Sequence, residues 1–187
     1  MQGKEGYLTG QLLIAMPGMR DPRFARSVVY LCAHNAEGAM GLVVNKLIDS
    51  LSFDDLLQQL GIERRINDSM AIHFGGPVES GRGFVLHSAD YLQDSTLQVD
   101  DRIALTATLD VLRDIARGHG PRQRLFALGY AGWGPGQLDA ELQANGWLTA
   151  SADASLVFEG SPAAKWENAI ALLGIDPHRL VGDAGHA

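Results

Sequence analysis

The sequence predicts an α+β protein: a strongly curved, mainly antiparallel mixed sheet with about four helices packed around it. Three observations carry this. Short apolar, β-branched runs bounded by turn residues recur along the chain, which is the signature of strands. Helical segments are interspersed irregularly, without the strict strand–helix alternation of a doubly wound parallel sheet. Glycine supplies 22 of 187 residues, about 12% against a typical ~7%, and many lie within or beside strands, where they mark bends and bulges.

Eight segments read as strands: Gln11 to Ala15, Ser27 to His34, Ala39 to Asn45, Met70 to Phe74, Gly83 to His87, Ile103 to Thr106, Arg124 to Tyr130 and Ser155 to Phe158. The second and third are joined by Asn35-Ala36-Glu37-Gly38, a turn ending in glycine, so they form an antiparallel hairpin. Four segments read as helices. Ser52 and Asp55 form a capping box ahead of Leu56, Leu57 and Leu60, and Gly61 stops that helix. Leu109, Leu112, Ile115 and Ala116 share one face between Thr108 and Arg117, with Asp110 early and Arg113 late, as the helix dipole favours. Gly134-Pro135 opens a third helix with proline at its first position, carrying Leu138 and Leu142 to a stop at Asn145-Gly146. Ser161-Pro162 opens the last, with Trp166, Ala169, Ile170 and Leu173 facing inward before Gly174.

The length suits one domain, residues 1–187, with a fraying tail at about 180–187. Fifteen Lys and Arg against 22 Asp and Glu leave a net charge of -7. Such a surface repels a polyanion, and no basic recognition helix follows a short turn, so direct nucleic-acid binding is not expected. The longest apolar runs have six residues, far short of the roughly 20 that span a membrane. A single cysteine, Cys32, excludes an internal disulfide, and with no export signal the expected compartment is the cytoplasm. Asn67-Asp68-Ser69 matches a glycosylation sequon that this compartment would leave idle.

The chemistry-bearing candidates cluster in two glycine-rich stretches. Gly129 to Leu138 runs from a strand through Gly132-Trp133-Gly134-Pro135 to a helix start, a geometry able to present backbone amides to an anion. Pro135 removes one amide, and the spacing fits neither the dinucleotide fingerprint nor the phosphate-binding loop of NTPases. Gln137 and Glu141, four residues apart, share a face of that helix, which makes Glu141 a candidate acid or base. Trp147 lies just past the helix stop as an anchor for its end. Gly75-Gly76-Pro77-Val78 is the second stretch, followed by Gly81-Arg82-Gly83 and the strand ending at His87. There Arg82 is a candidate anion grip and His87 a candidate base or ligand. Asn45 closes its strand as a cap or a pocket residue. Arg20, Arg23 and Arg26 form a small basic patch that Asp21 partly offsets. Cys32, His34 and His73 invite a metal reading, but no second ligand pair stands at zinc-like spacing, so neither metal nor cofactor is expected. Nucleophile-elbow, zinc-protease, calcium-loop, Cys-x-x-Cys and kinase signatures are all missing from the chain.

Leu12-Leu13-Ile14-Ala15-Met16-Pro17, Gly38 to Asn45, Gly75-Gly76-Pro77-Val78, Phe84-Val85-Leu86-His87, and Gly129 to Leu138 with Glu141 and Trp147 together resemble the AlgH/YqgE family of bacterial proteins. The resemblance runs from about Gly10 to Leu173. It implies a bifurcated sheet folded into a pseudo-barrel, and no established activity; members carry a transcriptional-regulator label. Three functions stay open. The first is a binding or regulatory module acting indirectly on an unknown protein partner, with Asn45, Gly75, Gly76, Pro77, Arg82, His87, Gly132, Trp133, Gly134 and Gln137 as candidate contacts. The second is a small enzyme for a phosphorylated or anionic molecule, which requires His87 and the Gly132–Gly136 turn to lie within about 10 Å of each other. The third is a structural or interaction protein forming a homo-oligomer through an exposed sheet edge; across the three readings the expected state is a monomer or homodimer.

Overall fold

Val28 to Cys32 is apolar at every position, and both faces of the strand that contains it are covered. A computed structural model describes residues 7–65 and 70–174. Its elements are β1 (Gln11–Ala15), β2 (Val28–Asn35), β3 (Gly38–Val43), α1 (Phe53–Gln59), β4 (Ile72–Phe74), β5 (Val78–Ser88), β6 (Leu97–Gln98), β7 (Ile103–Thr106), α2 (Leu109–Ala116), β8 (Arg124–Trp133), α3 (Gln137–Gln143), β9 (Trp147–Ser151), α4 (Ala154–Phe158) and α5 (Pro162–Leu172). The strand order is β6-β7-β5-β8-β3-β2-β1-β9, with β4 beside β8. Every pairing is antiparallel except β4 with β8, and the sheet curls into a half-barrel, the curved α+β architecture expected.

Three cores follow from side-chain alternation. Val28, Tyr30 and Cys32 of β2 turn to the inside of the curl, where Trp166, Ala169 and Ile170 of α5 pack. Val29 and Leu31, one residue out of phase, turn outward to Trp133, Leu138 and Trp147. A third cluster holds α1 and α2 against Ile72, Val85 and Phe126. Each fully buried Leu, Ile or Phe in these clusters contributes roughly 1.5–3 kcal/mol from the removal of apolar surface from water.

Strand β8 serves all three cores because its alternation is reset at Gly129. Leu125 and Ala127 face the inner core, whereas beyond the glycine Ala131 and Trp133, also odd-numbered, face the outer one. Gly129 has φ +76°, a left-handed conformation that costs a side-chain-bearing residue about 1–2 kcal/mol. There the chain of Gly75 and Gly76 crosses β8, backbone against backbone. A Cβ on Gly75 would lie 2.3 Å from the Gly129 carbonyl oxygen, one on Gly76 2.1 Å from the Tyr130 carbonyl carbon, and one on Gly129 2.3 Å from the Gly76 carbonyl oxygen. Gly75 also bridges the split: its N–H donates to Leu128 and its carbonyl accepts from Val43. Up to Leu128, β8 pairs with β4; from Ala131 it pairs with β3.

Several sequence-based expectations are corrected. Ser155 to Phe158 is not a strand but the core of α4, a fifth helix capped by Asp153, whose carboxylate accepts from the Ser155 N–H at 2.9 Å. A run of four residues has no period that separates the two states. Trp147 to Ser151, of which the sequence marks only Trp147, as an anchor past the helix stop, is β9, which pairs with β1 along its whole length. The two-residue β6 carries no sequence signal of its own. β5 starts at Val78, five residues before the expected Gly83. Helix α3 starts at Gln137 with Gly136 as its N-cap, so Pro135 lies in the preceding turn and not at the first helical position. In α2 the buried residues are Val111, Leu112, Ile115 and Ala116, while Leu109, expected on the inner face, is 43% exposed. The Ser52–Asp55 capping box, the β2–β3 hairpin and the Ser161-Pro162 start of α5 are as expected. The sequon and the 180–187 tail lie outside the described residues.

Replacing Gly129 by Ala should lower the unfolding free energy by more than about 3 kcal/mol, through left-handed strain plus a backbone clash. Gly61→Ala is the control, since Gly61 has φ +70° but no atom within 4 Å of its Cβ position, and it should cost only about 1 kcal/mol. Equal losses in urea denaturation would show that φ alone matters and that the crossing does not.

Candidate functional site

The end of β8, the turn after it, α3 and the start of β9 form one polar and aromatic cluster. Trp133 ends β8 and Trp147 begins β9, and both indole N–H groups donate to one oxygen of Glu141, at 3.0 and 2.9 Å. The other carboxylate oxygen accepts from the Gln137 side-chain amide at 3.1 Å, and the Gln137 carbonyl accepts from the Gly134 N–H at 3.0 Å. The turn amide expected to be available for an anion is therefore bonded to Gln137. Helical spacing explains the arrangement: Gln137 and Glu141 share a face, and Leu138 on the adjoining face is buried in the outer core.

Three rings wall a cavity of about 480 Å³ beside this network. Phe24 stacks on Trp133 at 6.4 Å between ring centroids, Trp147 meets Phe24 edge-on at 5.9 Å, and the two indoles meet edge-on at 6.1 Å. Pro77, Val78, Gly132, Gln137 and Glu141 complete the wall. At the rim Arg23 donates two hydrogen bonds to Asp21, which hold that carboxyl below its usual range. On the other side of Val78, Gly132 and Trp133 lies a shallower depression of about 650 Å³. Arg82 lines it, with its guanidinium 5.0 Å above the Phe84 ring and 3.7 Å from Glu79.

Among the candidates, the structure thus gathers Pro77, Gly132, Trp133, Gln137 and Glu141 in one cavity, with Arg82 next door and Gly134 one hydrogen bond away. Gly75 and Gly76 lie at the β8 crossing instead. Asn45 bridges backbone, its carbonyl accepting from the Val28 N–H and its amide donating to the Arg26 carbonyl, both at 2.9 Å. His87 is remote. It pairs in register with Arg124, eight residues along β8 from Gly132. Even a right-angle bend at Gly129 leaves about 19 Å between those ends at ~3.3 Å per residue. The convergence required of a His87-based enzyme with an oxyanion site at Gly132–Gly136 is not present. His87 is fully buried, with Nδ1 donating to the Ser88 carbonyl and Nε2 accepting from the Thr106 hydroxyl, both at 2.8 Å.

Cys32 points into the inner core, and burial pushes its thiol up to about 12. A bulge between Leu31 and Ala33 parts it from His34, whose Nδ1 accepts from the Leu8 N–H. Among the described residues no group of three or more His, Cys, Asp and Glu is placed to hold a metal. Sequence reasoning missed Phe24. Its only sequence signal is a lone aromatic within the Arg20–Arg26 segment, and that segment reads as surface charge.

A split, half-barrel α+β scaffold carrying an aromatic-walled cavity on its outer face is the class of protein so defined. The sequence matches the AlgH-like family over residues 12–178, and the chain belongs to that family. A UPF0301 protein of Rhodospirillum rubrum is 58% identical over 188 residues, covering 100% of this chain and 98% of its own. One from Bradyrhizobium diazoefficiens is 54% identical, covering 97% and 89%. Among solved structures, the AlgH protein of Pseudomonas aeruginosa in solution superposes with a TM-score of 0.79 at 43% identity, covering both chains completely. A Corynebacterium diphtheriae protein shares the fold, with a TM-score of 0.69 at 21% identity over 86% of this chain and 84% of its own.

Two predictions follow from the geometry. Glu141→Leu strands two indole N–H groups and the Gln137 amide, so it should cost roughly 1–3 kcal/mol and change the near-ultraviolet circular dichroism of the tryptophans. An unaltered aromatic spectrum at unchanged stability would refute the network. The second concerns His87 and His73, the latter buried in β4 with Nδ1 donating to the Phe126 carbonyl at 3.2 Å. Burial lowers both imidazoles below 6.5. The unfolded chain then takes up protons that the folded one refuses, so stability is complete above pH 6.5 and declines toward about 4, the folded value for His73. Urea midpoints that stay flat across that window would contradict it.

Proposed function

We propose that this protein is a binding module whose regulatory effect passes through a protein partner, and that the Phe24–Trp133–Trp147 cavity receives an apolar or aromatic side chain of that partner. The observation that carries the reading is the state of the polar groups: Glu141, Gln137, Gly134 and both indole N–H groups are bonded to one another. They form a stiff frame rather than a reactive acid–base pair. Aromatic walls held in fixed rotamers offer large contact area at little entropic cost, which is what partner recognition uses. The net charge of -7 argues against a direct grip on DNA, so any effect on transcription is indirect. The buried thiol of Cys32 fits work in the reducing cytoplasm.

Gly132→Leu tests this. A Cβ there meets Tyr130 at 3.4 Å and Val78 at 3.7 Å, ordinary contacts, and the longer side chain presses on Val78, which lines both the aromatic cavity and the shallower depression. A partner captured by the wild-type chain, purified and mixed back, should quench or shift tryptophan emission and bind at least tenfold more weakly to the folded Leu variant. Equal binding by the two chains, or no partner that survives purification, would overturn the reading.

A further inference from the structure

A second cleft, of about 590 Å³, lies between the start of β8, the β4 approach and the α4–α5 junction, and it shares no lining residue with the aromatic cavity. Its charge inverts that of the chain. Three cations, Arg122, Arg124 and Lys165, line it against one carboxylate, Glu159, in a protein with 15 Lys and Arg to 22 Asp and Glu. Glu159 accepts from the Gln123 side-chain amide at 3.3 Å, and the Arg122 Nε lies 3.6 Å from Asp90, whose carboxylate also accepts from the Arg122 main-chain N–H.

Lys165 is the unusual member. It is 2% exposed, yet its ammonium donates to two main-chain carbonyls, of Val44 and Val157. Among the described residues no carboxylate lies within 4 Å of it. Burying an ammonium costs several kcal/mol, normally offset by an ionic partner. An ammonium has three donors, and these two bonds use two of them. A purely structural tie between β3's end and α4 needs only a neutral donor, so the retained charge needs another reason. Nearby His73 supplies no competing charge, because burial and Lys165 together keep its imidazole neutral. Burial also lowers Lys165 to about 8, so a bound anion would relieve that ammonium, with the Arg124 guanidinium, which donates to the Pro121 carbonyl at 3.1 Å, beside it in the cleft wall. The first turn of α5, entering the cleft through Gly160 and Pro162, adds the positive end of an 11-residue helix.

We propose that this cleft binds the phosphate group of a small molecule, with Lys165 at its base and Arg124 and Arg122 as the clamping guanidinium groups. A phosphate matches the set better than a single carboxylate, since its two negative charges and several acceptor oxygens satisfy more than one cation.

The test titrates the full-length protein with inorganic phosphate and, in parallel, with acetate at equal ionic strength, following amide NMR shifts. Phosphate should saturably shift the amides of Gly160, Ser161 and Ala163 to Lys165 and raise the apparent pKa of the Lys165 ammonium. Arg122→Gln/Arg124→Gln should weaken the response at least tenfold. If that double variant does not fold, Arg122→Glu, altered only at the exposed rim, should weaken it as well. Gly132→Leu should leave it unchanged, which separates this site from the aromatic cavity. A response equal for acetate and phosphate, one indifferent to the arginine changes, or no saturable shift would overturn the proposal.

Discussion

The approach of Gly75 and Gly76 to the backbone of Gly129 and Tyr130 is the constraint on which the rest of this structure depends. Two stretches of main chain meet at separations that no Cβ tolerates, and the contact is locked by the Gly75 N–H donating to the Leu128 carbonyl and the Gly75 carbonyl accepting from the Val43 N–H. Backbone groups buried at such a crossing must find partners, and this one satisfies them by dividing the sheet between β4 and β3. The left-handed turn at Gly129 follows from the same crossing, and the inversion of side-chain phase along β8 follows from the turn. Without that inversion Trp133 would face the inner core, where Tyr130 and Phe84 already pack.

The polar network is a consequence at one remove. Once Trp133 is turned outward at the end of β8, its indole N–H faces α3, and β1 draws β9 alongside so that Trp147 arrives from the opposite direction. One carboxylate on α3 then serves both indoles. Glu141 is thereby a structural hub that fixes two aromatic planes nearly perpendicular to each other, with an interplanar angle of 77°. A group with both oxygens so occupied holds shape, and the shape is what the cavity offers.

Much of the fold was legible because local signals and global packing agree. The apolar, β-branched run of β2 and the Asn35–Gly38 turn after it announce a hairpin, and the Ser52–Asp55 pair announces a helix start. The failures have physical causes. Trp147 to Ser151 contains a single β-branched residue, Thr149, and is held as a strand by β1 rather than by its own propensity. Ser155 to Phe158 is too short for periodicity to decide, and the Asp153 cap, not the apolar content, makes it helical. At the site, helical spacing sets Gln137 and Glu141 on one face, where they are hydrogen-bonded. The sequence could not show that Glu141 is shared between tryptophans fourteen residues apart, nor that Phe24 joins them across a gap of more than a hundred residues. Lys165 is the clearest omission: within α5 it reads as an ordinary helix-surface lysine, and only the tertiary fold buries it.

The two cavities divide β8 between them, with Arg124 and Leu125 at one end and Gly132 and Trp133 at the other. The rigid crossing at Gly129 stands in the middle. A packed backbone contact of this kind leaves no room for a side chain between the two stretches and is stiff. The cavities also differ in what drives binding. The outer one offers apolar area and fixed rings, and the other offers charge held at low dielectric, where the Lys165 ammonium, with no carboxylate within 4 Å among the described residues, gains most from an incoming anion. Separate chemistry on either side of a stiff bend keeps the two proposed sites apart, with no lining residue in common.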